Sequence, residues 1–251
     1  MSLDAWLAKN VSMNEKKLTI DTQFELFEID KSWLRFLKLN NYEIEKLKKI
    51  YEKVATERMF RNVLPNHDEL HRWSFVCHPD NVKVIILGQD PYCDNRSCGV
   101  AFSSKGEYLP PSLLIIYKEL ERTIPGFKRP NHGNLESWCK QGVLLMNSIF
   151  TVIAKSPCSH DYMGWQMLSR RILYTLSEKK KNLVFMMWGS HSYPNISLIN
   201  KKHFILVSGY PSPISMSTKP FYGNDHFLLA NKYLQSKGIE PINWNSLNET
   251  P

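Results

Sequence analysis

The apolar residues of this chain follow two rhythms. From Ser32 to about Asn62 they recur every three or four positions among charges, as in SWLRFLKLN and YEIEKLKKIYEKVATERMF, which predicts amphipathic helix. Further on come four short runs that are almost wholly apolar: Val82–Leu87 (VKVIIL), Val143–Met146 (VLLM), Leu183–Met187 (LVFMM) and His203–Val207 (HFILV). Runs of this length without alternation predict strands buried on both faces. Helical stretches separate or follow them, at Ser112–Arg122, Leu135–Lys140, Trp165–Lys181, Ile196–Asn200 and Phe227–Ser236. Strands alternating with helices predict an α/β fold, a central, mostly parallel four-stranded sheet with helices on both faces. No Gly/Ser linker, internal repeat or low-complexity segment interrupts this order. The expectation is therefore one domain over residues 32–251, preceded by a polar, weakly patterned arm over residues 1–31 that is mobile or loosely docked.

Each predicted strand ends in polar or conformationally special residues. The first runs into Gly88, Gln89, Asp90, Pro91 and Tyr92, and the second into Asn147 and Ser148. The third gives Trp188, Gly189, Ser190 and His191; the fourth gives Gly209, Tyr210, Pro211, Ser212 and Pro213. Gly88 and Pro91 stop the first strand. In a parallel sheet these four ends share one edge, where open α/β folds bind their ligands. One polar strand end is ordinary turn chemistry; four converging ones predict a site.

Charge narrows the class of ligand. Lys and Arg number 32 against 24 Asp and Glu, for a net charge of +8 and a pI near 9.1. A basic chain suits a polyanionic partner. No apolar run approaches the roughly 18 residues that span a bilayer, and the first residues, MSLDAWLAKNVSMNEKK, lack the apolar core of a secretion signal. The expectation is a protein with no membrane partner. Its five cysteines, Cys77, Cys93, Cys98, Cys139 and Cys158, are an odd number, which predicts free thiols in a reducing compartment. Cys93 and Cys98 have no second pair at zinc-like spacing, so no metal site is expected.

Five segments carry a family resemblance. GQDPY at Gly88–Tyr92, GVAF at Gly99–Phe102, LLMN at Leu144–Asn147, MWGS at Met187–Ser190 and PSPIS at Pro211–Ser215 stand in the motif order of family 1 uracil-DNA glycosylases. The chain resembles that family from about Ser32 to Leu247, and GQDPYC and GNDHF resemble its herpesvirus branch. The resemblance implies hydrolysis of the bond between deoxyribose C1′ and uracil N1, with no cofactor, on single- or double-stranded DNA. It implies that Asp90 orients water and stabilises the cationic sugar. It gives Asn147 the uracil edge, because one amide can accept from N3–H and donate to O4. Phe102 then stacks on the flipped base, Tyr92 excludes the thymine methyl group, and backbone amides near Gln89 meet uracil O2. Three loops are expected to grip the DNA backbone: Pro110-Pro111-Ser112, Gly189-Ser190 and Pro211-Ser212-Pro213, with Ile214 and Ser215 following. Ile214 stands where the family has an apolar wedge. His160 and Trp165 match the family's SH…GW segment as supporting residues. A nuclear location (the host nucleus for a viral protein), the replication machinery as a partner and a monomeric state complete what the resemblance implies.

Two positions depart from the pattern. Tyr210 stands where the family has a histidine that donates to uracil O2, and Cys93 stands where many cellular members have histidine. A phenol also donates and stays neutral at pH 7, but its oxygen arrives at a different place. The departure supports a competing reading, a DNA-binding replication or processivity module on the same fold with weakened catalysis. The retention of Asp90 and Asn147 favours the enzyme.

Overall fold

The computed structural model describes residues 27–213 and 217–248. Phe27 and Ile29 are already buried in the core, so the packed body begins before Ser32. Helix α1 (Lys31–Leu37) is capped by Asp30, whose side chain accepts from the Ser32 N–H at 2.8 Å. It stops at Lys38, which is left-handed at φ 49°. The helical pattern expected from Ser32 to about Asn62 is thus carried by two helices. Asn40 restarts the second with a capping box shared with Glu43, giving α2 (Asn41–Phe60).

Strand β1 (Val63–Leu64) and helix α3 (Arg72–Val76) lead to β2 (Val84–Gly88), and α4 (Pro111–Thr123) follows a long excursion. Pro111 occupies the first turn of α4, where its missing N–H costs nothing. The chain continues through α5 (Glu136–Lys140), β3 (Val143–Asn147), β4 (Val152–Ile153) and α6 (Gln166–Lys179). It ends with β5 (Val184–Trp188), β6 (Phe204–Ser208) and α7 (His226–Ser236). The stretch expected as a helix at Ile196–Asn200 is the end of a 3-10 segment, Ser190–Leu198, that holds Pro194.

The four expected strands form one parallel sheet in the order β3-β2-β5-β6, with helices packed around it. Every residue of β2, β3 and β5 is buried, which accounts for their unbroken apolar sequences. The pair β1–β4 forms a separate antiparallel ribbon two residues long. The chain leaves β2 toward β3 on one side, and β5 leads to β6 on the other. The carboxyl ends of β2 and β5 thus flank the topological switch point, where a crevice opens.

Buried histidines help to set how stability responds to pH. The Trp188 Nε1–H donates to His226 Nδ1 at 2.9 Å, and the Trp73 Nε1–H donates to His71 Nδ1 at 3.2 Å. Burial pushes His71 down to about 3 and His226 to about 4, from an ordinary 6.5. Between 6.5 and those values the unfolded chain takes up protons that the folded chain refuses. Their contribution is complete above pH 6.5 and declines as pH falls toward 4. The urea midpoint is expected to drop steadily from pH 7 to pH 5, and replacing His226 by Gln to flatten that slope. An equally steep slope in the variant would overturn this assignment.

Candidate active site

One cavity lies at the carboxyl edge of the sheet. It is lined by Asp90, Pro91, Tyr92, Ser97, Cys98, Gly99, Val100, Phe102, Ser103, Asn147 and Tyr210. Residues from the ends of β2 and β3 and from the segment after β6 therefore meet in one place. The five cysteines are all free.

Asp90 stands two residues past β2, half-buried. The Cys158 N–H donates to its Oδ2 at 2.7 Å. Burial raises the Asp90 carboxyl above its ordinary range; hydrogen bonds from the Cys158 amide and its own amide oppose the rise, and the nearby Asp161 adds to it. Its place is partly desolvated, where a carboxylate's field acts strongly on nearby charge. Asn147, the last residue of β3, is 8% exposed and pairs in register with Gly88. A Cβ at Gly88 would lie 2.1 Å from Asn147 Oδ1. Glycine is thus required for Asn147 to sit where it does. If Asn147 binds uracil as the resemblance implies, Gly88→Ala is expected to displace that amide and weaken binding of free uracil about tenfold, the worth of one good hydrogen bond; unchanged affinity by calorimetry would refute this.

Tyr92 is pinned at its tip. Its hydroxyl donates to the Phe102 carbonyl at 3.2 Å and shares a 2.9 Å hydrogen bond with Ser112 Oγ. Burial raises the Tyr92 phenol well above its usual value, so it stays neutral. A ring fixed at both ends is suited to exclude a methyl group. Phe102 is buried and left-handed at φ 62°, a conformation that a residue with a Cβ keeps only where the surroundings impose it. Its ring meets Trp188 edge-on at 5.4 Å.

Tyr210 leans on the same Phe102 ring, 5.9 Å away and tilted by 38°, and meets His191 at 5.6 Å. Burial first, then the charge of Asp90 and the Cys158 thiol, push its phenol above the ordinary value. It is a neutral donor. The cavity holds about 10 Å³, the room of a single water. Tyr210 and Phe102 thus pack together at one wall of the cavity.

The three loops expected at DNA surround this mouth in different states. Pro110 and Ser112 are buried and Pro111 is exposed; the Ser112 hydroxyl is turned inward to Tyr92 rather than outward. Gly189 is buried at φ 80° and Ser190 is exposed. Pro211 is buried, Ser212 half-buried and Pro213 exposed. Ile214 and Ser215 lie outside the described residues. Gln89 is not among the residues lining the cavity; its side chain donates from Nε2 to Cys158 Sγ at 2.9 Å. Sequence reasoning missed the segment around Cys158; its only signal was the Ser159-His160 pair, which says nothing of Asp90.

Residues 75–235 match the family model described as the uracil DNA glycosylase superfamily. The chain is 48% identical to the uracil-DNA glycosylase of human herpesvirus 6A (strain Uganda-1102), with 99% of this chain and 100% of that protein covered. It is 49% identical to the uracil-DNA glycosylase of human herpesvirus 7 (strain JI), again with 99% and 100% covered. Among solved structures, that of mimivirus uracil-DNA glycosylase superposes with a TM-score of 0.76 at 26% identity, covering 97% of this chain and 93% of that one.

Proposed function

We propose that this chain, which belongs to the uracil DNA glycosylase superfamily and hydrolytically removes uracil from DNA, does so with Asp90, Asn147, Phe102, Tyr92 and Tyr210. The observation that carries the assignment is that all five line one cavity at the carboxyl edge of the parallel sheet. The target bond is inaccessible in stacked duplex DNA, so the base leaves the stack first, at a cost of a few kcal/mol. Phe102 and Tyr92 receive it, and Asn147 reads its N3–O4 edge with one acceptor and one donor. As the C1′–N1 bond breaks, the sugar becomes cationic and uracil anionic. Asp90 faces the cation and aims the water, and the neutral Tyr210 phenol is the donor available to the anion. Water adds to C1′, leaving an abasic site and free uracil.

The Pro110–Ser112, Gly189-Ser190 and Pro211–Pro213 loops hold the DNA backbone in this reading, with Ile214 and Ser215 continuing the last of them. Support comes from the exposed Pro111, Ser190 and Pro213 and from the basic charge of the chain. The inward Ser112 hydroxyl serves the Tyr92 ring instead. A DNA-binding replication or processivity module with weakened catalysis is not favoured, because relatives matched over their whole length are named as glycosylases. The herpesvirus sources of those relatives support work in the host nucleus beside the replication machinery. A site completed within one chain supports a monomer.

Excision from a single-stranded oligonucleotide carrying one uracil tests the assignment. Asn147→Ala is expected to lower the rate about 10- to 100-fold, the worth of the paired amide contacts. Product formation insensitive to both Asn147→Ala and Asp90→Asn would discredit the site.

A further inference from the structure

The Asp90 carboxylate is gripped from the side by residues 153–160, a segment that belongs neither to the sheet nor to the three DNA loops. The segment is fastened at several points. The Lys155 N–H donates to the Cys93 carbonyl at 2.7 Å, and the Ile153 N–H to Ser159 Oγ at 2.8 Å. His160 Nδ1 shares a 2.7 Å hydrogen bond with Thr151 Oγ1, which also accepts from the Trp165 Nε1–H at 2.6 Å. Both Thr151 and His160 are wholly buried. Between these anchors, Cys158 adopts a left-handed backbone, φ 61°, a region that residues with a Cβ avoid.

We propose that Cys158 is a positioning residue for excision, its left-handed backbone aiming its N–H at Asp90 Oδ2 and so leaving the other carboxylate oxygen for water and the sugar. The inference rests on Asp90 being the catalytic carboxylate. What matters at Cys158 is the backbone direction, not the thiol. The thiol touches Gln89 Nε2 on an exposed side of the segment, and burial and the charges of Asp90 and Asp161 raise it above its ordinary value. A donor bonded to the charged form of a carboxylate favours that form. Asp161, Tyr210 and the Cys158 thiol are the other titratable groups facing Asp90; Asp161 works against its ionisation. Losing the N–H moves the Asp90 titration upward. Because the anion is the active form, the acid limb of the rate profile moves to higher pH.

Two substitutions separate backbone from side chain. Cys158→Gly accepts the left-handed conformation and keeps the N–H while losing the sulfur. Cys158→Val is β-branched and rejects it. Single-turnover excision of uracil from a single-stranded oligonucleotide is measured from pH 4.5 to 8. Cys158→Gly is expected to keep the rate within about threefold and the acid limb unmoved. Cys158→Val is expected to lose about tenfold or more, the worth of a hydrogen bond to a charged group, with its acid limb displaced to higher pH and DNA affinity unchanged. Should the Val variant fold poorly, Cys158→Thr, β-branched but polar on the exposed side of the segment, is expected to give the same loss and displacement. A Val or Thr variant with the parent rate and acid limb overturns the proposal. So does a Gly variant as impaired as Val, which would assign the effect to the thiol. Asp90→Asn, run in parallel, keeps the two readings apart. If it stays active, Asp90 is not the catalytic group; if it is inactive while the Cys158 variants are normal, only the positioning role fails.

Discussion

Asp90→Asn lowers the single-turnover rate of uracil excision by about a thousandfold, with DNA affinity within about twofold of the parent. The size follows from the site. A unit negative charge about 4 Å from a cationic sugar attracts it by about 4 kcal/mol at the effective dielectric of a partly buried group, and that energy is about three decades in rate. The substitution keeps the shape of the side chain, and an amide oxygen can still accept from the Cys158 N–H that now meets Oδ2. The loss is therefore electrostatic. Chemical-quench measurements with enzyme in excess report it directly, and a rate within tenfold of the parent would remove Asp90 from the centre of the mechanism.

Tyr210→His raises the same rate by about a hundredfold, the usual worth of one well-placed donor to a developing oxyanion. The phenol does not fail as a donor for want of its proton, since burial keeps it neutral. Its difficulty is place. The ring packs against Phe102, on which the base stacks in the reading proposed above, in a cavity of about 10 Å³. An imidazole is shorter and clears that face. It would also be neutral there, as the adjacent His191 shows: burial takes that ring down to about 4. Tyr210→Phe separates the two effects, because it keeps the obstruction and removes the donor. A fall in rate means that Tyr210 donates from its shifted position; no change means that it only obstructs. A histidine variant no faster than the parent would show that this chain is adapted to its tyrosine.

Much of this architecture was readable before any coordinates. The four strands start and stop within two residues of their apolar runs; β2, β3 and β5, covered on both faces, leave almost no polar position to blur the pattern. The convergence of Asp90, Asn147 and Tyr210 followed from a parallel sheet sharing one edge. What escaped was long-range or conformational. The break at Lys38 lies in its φ, and the two-residue ribbon of β1 and β4 is too short for any periodicity. The contact of Cys158 with Asp90 joins residues 68 positions apart. Ser112, expected to face a phosphate, has its hydroxyl committed to Tyr92, which no local pattern announces. The crowding of Tyr210 against Phe102 could be suspected from the exchanged residue type, but its direction could not.

The register that pairs Gly88 with Asn147 also constrains how such a chain can change in length over time. Side chains alternate between the faces of a strand, so one residue gained or lost within β2 or β3 would turn Asn147 to the opposite side of the sheet and separate it from the glycine that makes room for it. The stretches that carry Asp90, Tyr92 and Phe102 after β2 and Cys158 after β3 are restricted for another reason, the contacts those residues make at the cavity. Insertions and deletions should therefore accumulate outside both, and the core strands should stay the same length while their sequences drift.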